Sequence, residues 1–434
     1  MLWRGPFVLW FAPPMMGRFP SLPSATFVVI LLGMARSGHA EVAYHVFAGS
    51  SVGASDNPTS QPDATAHSAA GFVTAQGRLE LGHIGRLTQE QIAYAIMATS
   101  WTGNTQSSVL AQTLSLSSDI EASPAARITL RGSAALMQLS MLDATSTTNP
   151  QTVGPRPAGD QKFLSLSADE AFSWQLGGSW SIAQSLDGGM YRPLGSDQGS
   201  GSNKSLILGA AISHLWQRDS GGLRGRLGAI ATNNTQAGQL TTAGQPTTAG
   251  QATTAARDGQ FAQLESTWRH EWTAELTHEL AAGVLFLRTD HVHVFPTESA
   301  AILWRRVGRE VGLRAEQSVG DSIYVATVYQ RSLVGLNIAL PLDRYELLQF
   351  LAAADLESDS ASALANGTGG TAKVFATHLG LRWMPGHLFT YGLDYTFRDQ
   401  RASAVSSAVG ASPFASFRRQ LVVFTVEAQY PARF

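Results

Sequence analysis

The feature that most constrains this chain is an alternation of apolar and polar side chains with a period of two. In the stretch FTYGLDYTFR (389–398), apolar and aromatic residues occupy every odd position, and Thr, Gly, Asp or Arg stand between them. Successive side chains of a strand point to opposite faces, so such a stretch has one apolar and one polar face. A slip of one residue would exchange the two faces, so the pattern also fixes the register of each strand.

The connections between these stretches tend to be short and long in turn. Short ones such as IGRLT (84–88) and RDSGG (218–222) are rich in turn residues, whereas 144–161 and 234–258 are long and polar. Transmembrane barrels show this asymmetry, with short periplasmic turns and longer outer loops. The sequence therefore predicts an all-β fold, a single antiparallel up-and-down transmembrane β-barrel of about 18 strands, with 16 as the alternative count. LDRYELLQFLAAADL (342–356) also fits a helix with a period of 3.6 residues.

The composition agrees with a barrel and excludes several other classes. The chain is 44% hydrophobic and only 14% charged, against about 25% charged in ordinary soluble domains. Beyond residue 40 it has no apolar run of the length, about 20 residues, that a membrane-spanning helix needs. It has no cysteine, which excludes disulfides and thiolate metal sites, and its net charge of −2 does not indicate a nucleic-acid partner.

The beginning of the sequence predicts an export signal. The apolar core ATFVVILLGM (25–34) and the small residues of GHA (38–40) fit a secretory signal peptide over 1–40, with an uncleaved anchor as the alternative. The barrel is then expected to occupy 41–434. Within it, imperfect copies of TTAGQP predict a disordered outer loop over about 234–258.

The last residues, FTVEAQYPARF (424–434), place apolar or small side chains at every second position and end on a phenylalanine. A soluble edge strand also alternates. The stretch resembles the C-terminal strand of Gram-negative outer-membrane β-barrels, although Pro431 departs from that pattern. The resemblance implies an outer-membrane location with both termini periplasmic, contact with outer-membrane lipids and lipopolysaccharide, and recognition by the barrel-assembly machinery. The implied assembly signal comprises Phe424, Val426, Tyr430 and Phe434.

A second, looser resemblance lies near the start of the predicted barrel. The stretch VFAGSSVGASDNP (46–58) is similar to barrels associated with exopolysaccharide or exosortase gene clusters. Such a resemblance implies passage of a secreted polysaccharide. Because the chain lacks a helical periplasmic repeat domain, it also implies a separate periplasmic export partner.

Residues two apart in a strand share a face, so the alternation assigns charged residues to the lumen and aromatic residues to the outer surface. Mixed charges spread over many strands indicate a wet interior without strong ion selectivity, or cross-strand pairs that brace the wall. The predicted pore-lining residues are Arg78, Arg127, Arg131, Arg224, Arg226, Arg314, Arg398, Glu310, Glu316 and Asp394. Aromatic side chains near strand ends predict girdles at the two membrane interfaces. These are Trp101, Trp180, Trp383, Tyr391, Tyr395 and Tyr430.

No catalytic, metal or cofactor site is predicted. The histidines at 270, 278, 291 and 293 lack metalloprotease spacing, and two histidines on one strand do not complete a zinc site. The sequence thus predicts a passive outer-membrane channel for a hydrophilic solute or secreted polysaccharide. The alternatives are a structural or adhesive barrel with a filled lumen and functional outer loops, and an outer-membrane barrel hydrolase.

Overall fold

The structure is a computed structural model of the chain. The residues it describes are 41–58, 60, 68–102, 109–138, 162–194, 202–233, 259–288, 291–322, 327–360, 370–386, 388–404 and 416–430. The predicted signal peptide, the predicted disordered loop at 234–258 and Phe434 lie outside these residues.

The described residues form 18 strands of 13 to 16 residues each. Their bounds are β1 Glu41–Ser55, β2 Ala70–Ile84, β3 Thr88–Trp101, β4 Val109–Ser123, β5 Ala126–Gln138, β6 Lys162–Gln175, β7 Trp180–Leu194, β8 Ser202–Leu215, β9 Asp219–Asn233, β10 Gly259–Glu271, β11 Leu276–Arg288, β12 Val292–Arg306, β13 Arg309–Ser322, β14 Thr327–Pro341, β15 Leu348–Ser360, β16 Gly370–Trp383, β17 Phe389–Ala404 and β18 Phe417–Tyr430.

Each strand pairs antiparallel with its neighbours in the chain, and β1 pairs with both β2 and β18. Val52, for example, lies opposite Val73 on one side and Phe424 on the other. The sheet therefore closes on itself and has no free edge, which removes the hydrogen-bonding groups that an open sheet would expose to lipid. The predicted closed, up-and-down barrel of 18 strands is confirmed.

The two ends of the barrel differ in their connections. We call the end with the short hairpins the turn end. The opposite end, the loop end, carries the longest connections, such as those between β5 and β6 and between β9 and β10, although β11–β12 and β13–β14 are joined by short ones there. Gly177 and Gly178 (φ 97° and 60°) and Gly308 (φ 68°) lie in turn-end hairpins, where a positive φ suits glycine. The described first and last strands also begin and end there, at Glu41 and Tyr430.

The two faces of the wall differ in the way the alternation predicts. Large apolar side chains such as Leu206, Leu227 and Leu264 are more than half exposed on the outer face. Serine, threonine and charged residues alternate with them and point inward. An apolar exterior around a polar interior is the distribution expected of a transmembrane barrel.

The stretch 342–356 is a turn followed by a strand. Residues 342–347 form the β14–β15 turn, where Glu346 takes a positive φ of 58°, and β15 begins at Leu348. The helical alternative is therefore wrong, because pairing with β14 and β16 outweighs the local helical period. No helix in the described part of the chain is long and apolar enough to cross a membrane.

Candidate functional site: the inner wall of the barrel

All ten residues predicted to line a pore lie on the inner face. Their register pairs them with other inward side chains: Arg224 lies opposite Glu265, and Arg398 lies opposite Arg419. Their exposure differs, however, since the side chain of Arg78 is 51% exposed whereas Arg398 is only 3% exposed. Their role in conduction stays a prediction.

Several of these charges are paired across neighbouring strands. Arg224 Nε donates to Glu265 at 2.9 Å, and Arg314 donates to Asp355 at 3.2 Å from two strands away. His378 and Asp394 approach to 2.8 Å on β16 and β17. Such pairs brace the wall and offset the cost of burying each charge. Sequence parity identifies the arginines, but it does not identify their partners.

The inner wall is accessible to solvent near the turn end. There the side chains of Glu279 and Arg305 are 58% and 66% exposed. Asp169 and Ala171 on β6 are exposed as well.

Near the loop end the inner wall is covered. Leu287 and Glu357 are 0% exposed and Phe163 is 2% exposed. Arg331 and Glu357 form an ion pair there, at 2.9 Å. These inner-face side chains are therefore closed to solvent.

The described part of the β1–β2 connection contributes to that cover. Asn57, which is fully buried, donates from Nδ2 to the carbonyl oxygen of Arg418 at 2.9 Å. The carboxylate of Asp56 accepts from the backbone N–H of Gln420 at 2.6 Å, and Arg419 donates to Ser60 Oγ at 3.5 Å. The connection is thus fastened to the loop end of β18.

The prediction for Trp101 is wrong. Trp101 lies inside the barrel, 9% exposed, with its ring centroid 4.9 Å from that of Phe72. Both pack with Leu421 and Val423 in an apolar cluster on the inner wall. Trp101 shares the parity of Thr99, not that of the outward-facing Tyr94 and Ile96, so it cannot belong to an outer girdle.

The other predicted girdle residues lie on the outer face. Trp180, Trp383 and Tyr430 are 48%, 50% and 62% exposed near the turn end. Tyr391 packs against Trp383 with ring centroids 5.4 Å apart. Tyr395 lies farther from the turn end on the same face, where its hydroxyl donates to Gln420 at 3.3 Å.

Three residues of the predicted assembly signal also lie on the outer face. Phe424 and Tyr430 are 43% and 62% exposed, and Val426 shares their parity on β18. Recognition of this strand by the assembly machinery stays a prediction.

A serine–histidine contact lies at the turn end. Ser179 Oγ and His214 Nε2 are 2.6 Å apart, between Trp180 and Trp216. Nδ1 of His214 is buried and has no hydrogen-bond partner among the described residues. A hydrolytic triad needs an acceptor at that nitrogen to orient the ring, so this contact is incomplete as catalytic machinery. The described residues contain no cluster of three or more potential metal ligands.

Comparisons with known proteins find similar folds only. No family model and no curated protein matches the chain. Solved structures do: the ferric enterobactin receptor PfeA from Pseudomonas aeruginosa, in complex with enterobactin, has a TM-score of 0.47 at 7% identity over 91% of this chain and 82% of its own. The ferric-catecholate import receptor Fiu from E. coli K12 has a TM-score of 0.47 at 9% identity, covering 89% and 82%.

A third similar structure is OccK2 (OpdF) from Pseudomonas aeruginosa, with a TM-score of 0.45 at 10% identity over 90% of this chain and 98% of its own. At such scores and identities the likeness carries no functional argument. By its own strands and register, the chain is a closed 18-stranded antiparallel barrel with an apolar outer face, the architecture of the outer-membrane β-barrels of Gram-negative bacteria.

Proposed function

We propose that this protein is an outer-membrane channel, a passive conduit for hydrophilic solutes. The observation that carries the proposal is the contrast between the two faces of one closed wall. Leu264 on the outer face is 56% exposed, whereas Gln263 and Glu265 on either side of it point inward. Barrels of 16 to 18 strands are wide enough to hold an aqueous passage, and a polar wall keeps that passage wet.

The proposed orientation places the turn end in the periplasm and the loop end outside. Short turns and the chain ends of outer-membrane barrels lie on the periplasmic side. The outward Trp180, Trp383 and Tyr430 near the turn end suit the inner membrane–water interface, where amphipathic rings are favoured. The surrounding lipids would include lipopolysaccharide, and insertion would depend on the barrel-assembly machinery.

The solute enters from the turn end in this proposal, because the accessible part of the inner wall lies there. The covered loop half must open before a solute passes through. The same route suits a secreted polysaccharide delivered by a separate periplasmic partner.

Planar-bilayer recording tests the proposal. The purified, folded barrel is expected to produce discrete conductance steps in neutral salt, with brief openings that become longer as voltage is raised. A correctly folded and inserted protein that stays insulating over several salts and voltages would contradict it.

The burial of the loop-end wall favours a second candidate, a structural or adhesive barrel with a filled lumen. Leu287, Glu357 and Phe163 are almost completely buried, as a permanently filled outer half requires. This candidate predicts an insulating barrel whose outer loops are needed for surface attachment. The proposal includes no catalytic role, and turnover of lipid esters by the purified protein would favour the hydrolase instead.

A further inference from the structure

A row of small side chains crosses six neighbouring strands on the inner wall. Its members lie directly opposite one another from β7 to β12, and none is larger than threonine. They are Ser181, Ser213, Gly222, Thr267, Ala281 and Ser299. With neighbouring strands about 4.8 Å apart, the row spans about 24 Å.

Longer, charged side chains border the middle of this row, over β9–β11, on both sides. Toward the loop end, Arg224 contacts Glu265, and toward the turn end, Arg269 lies 3.5 Å from Glu279. The small residues therefore form the floor of a groove between two charged rims. A cavity of about 220 Å³ occupies it, lined by Ser213, Thr267, Ala281 and Ser299 together with residues of both rims.

Close backbone packing excludes a side chain at Gly222, in the centre of the floor. A Cβ atom added at Gly222 would lie 2.3 Å from the carbonyl oxygen of Ile212, closer than real Cβ contacts allow. Any larger residue would need the wall to shift. Only glycine fits this position, so the centre of the groove stays open.

The rim nearer the turn end has polar groups available to a ligand. Arg269 is 48% exposed and Glu279 is 58% exposed, and the contacts of Arg269 to Glu271 and Glu279 are long, at 3.4 and 3.5 Å. These groups exchange hydrogen bonds with water at little cost. A ligand with several hydroxyl groups can replace that water without leaving either charge unpaired.

The charge balance and the shape of the groove narrow the ligand class. Its rims carry Arg224 and Arg269 against Glu265 and Glu279, and these four charges sum to zero, while Glu271 lies one step farther toward the turn end. Its floor offers the hydroxyls of Thr267 and Ser299, and those of Ser181 and Ser213, which share a hydrogen bond of 2.6 Å and together keep one donor and several acceptor positions. An uncharged, hydroxyl-rich ligand fits this chemistry better than an ion. The row of small residues, about 24 Å long, extends the floor beyond the charged rims on both sides, which favours a chain over a compact solute.

We propose that this groove binds a neutral, polyhydroxylated chain, an oligosaccharide segment, lying along the wall across β7–β12. The inference rests on the proposed function as a conduit, because it names the class of solute that the passage takes.

Binding to the barrel in lipid nanodiscs tests the groove without requiring conduction. Linear glucose oligomers are titrated by calorimetry, and affinity is expected to rise with oligomer length until the chain spans the groove. Ala281→Phe fills the floor and is expected to weaken binding roughly tenfold or more, about 1.4 kcal/mol. Ala171→Phe places the same ring on the exposed inner face of β6, outside the groove, and is expected to leave binding unchanged.

Two results would overturn the groove. One is the absence of binding by folded barrel, and the other is an equal loss of affinity in Ala281→Phe and Ala171→Phe. A uronic-acid oligomer that binds far more tightly than the neutral oligomer would contradict the inferred ligand class. Conductance recorded on the same preparation distinguishes these failures from failure of the conduit, since a conducting barrel without affinity for the oligomers removes only the groove.

Discussion

At the scale of single residues, the outer face has a conspicuous exception to its apolar character. Glu298 on β12 is exposed and has outward parity, with Val294 on its loop side and Ile302 on its turn side. It forms no ion pair with any described residue. A carboxylate facing lipid loses its hydration and must be neutralised or reached by water, so Glu298 is expected to lower the stability of the inserted barrel.

Replacing this carboxylate with an apolar side chain is expected to stabilise the barrel. Glu298→Leu should raise the free energy of unfolding by on the order of 1 kcal/mol in lipid bilayers, measured by chaotrope-induced unfolding followed by tryptophan fluorescence. Glu316→Leu is the matched control, because Glu316 lies on the inner face and accepts from Ser318 Oγ at 2.7 Å. Unchanged or lower stability in Glu298→Leu would contradict the lipid-facing assignment.

Removing one partner of the buried ion pair between Arg331 and Glu357 should destabilise the barrel. Its side chains are 20% and 0% exposed, so Arg331→Met leaves the Glu357 carboxylate without its nearest cation. The expected loss is about 3–5 kcal/mol in the same unfolding assay. Arg305→Met is the comparison, since the Arg305–Glu310 pair is 66% and 36% exposed and its loss should cost at most about 1 kcal/mol. Equal losses in the two variants would show that Glu357 is not buried as described.

At the scale of strands, Pro296 marks a local break in the sheet. β12 pairs with β11 from Val292 onward, but its pairing with β13 begins only at Glu298, opposite Gln317. Proline has no N–H to donate, which accounts for a ladder that stops beside it. The loop ends of β12 and β13 are therefore less firmly joined than the other neighbouring strands.

Restoring the missing donor is expected to extend this ladder. Pro296→Val should slow amide hydrogen exchange at 317–319 of β13, measured by mass spectrometry on the folded barrel. Pro193→Val on β7 is the control, because Pro193 lies opposite Phe163 in a ladder that continues past it to Leu194. Pro193→Val should leave exchange at 317–319 unchanged. If Pro296→Val also left it unchanged, the break in the ladder would have another cause.

The sequence predicts where the strands lie and which face each side chain takes, but it does not predict contacts between distant strands. Alternation located the strands because lipid and lumen impose opposite demands on successive side chains, and it placed residues as separate as Arg78 and Arg398 on one face. Aromatic type and nearness to a strand end predict an outward Trp101, but its position on β3, two residues from the inward Thr99, directs it into the barrel. The groove and the covered loop half depend on which strands lie side by side and on contacts such as Asn57 with Arg418, which are distant in sequence.

At the scale of the whole molecule, one closed wall separates three environments. The outer face meets lipid, the turn half of the inner face meets water, and the loop half of the inner face is buried from both. The proposed conduit requires the lipid-facing and water-facing surfaces. The structural or adhesive barrel differs from it in requiring the loop half to stay buried permanently. The protein is suited to testing this division because it contains no cysteine, so each introduced thiol is unique.

Thiol labelling is expected to divide the inner wall into two halves. Glu279→Cys, at a position 58% exposed, should react with a water-soluble maleimide roughly tenfold or more faster than Leu287→Cys, whose position on the same face of β11 is 0% exposed. Both thiols should react equally fast after unfolding, which controls for intrinsic reactivity. Intact-protein mass spectrometry follows the rates.

Rapid labelling of Leu287→Cys in the folded barrel would mean that water reaches the loop half freely, which favours the permanently open form of the conduit. Protection of Leu287→Cys that disappears under voltage would identify a cover that moves, whereas protection that persists while the barrel stays insulating would favour the filled lumen.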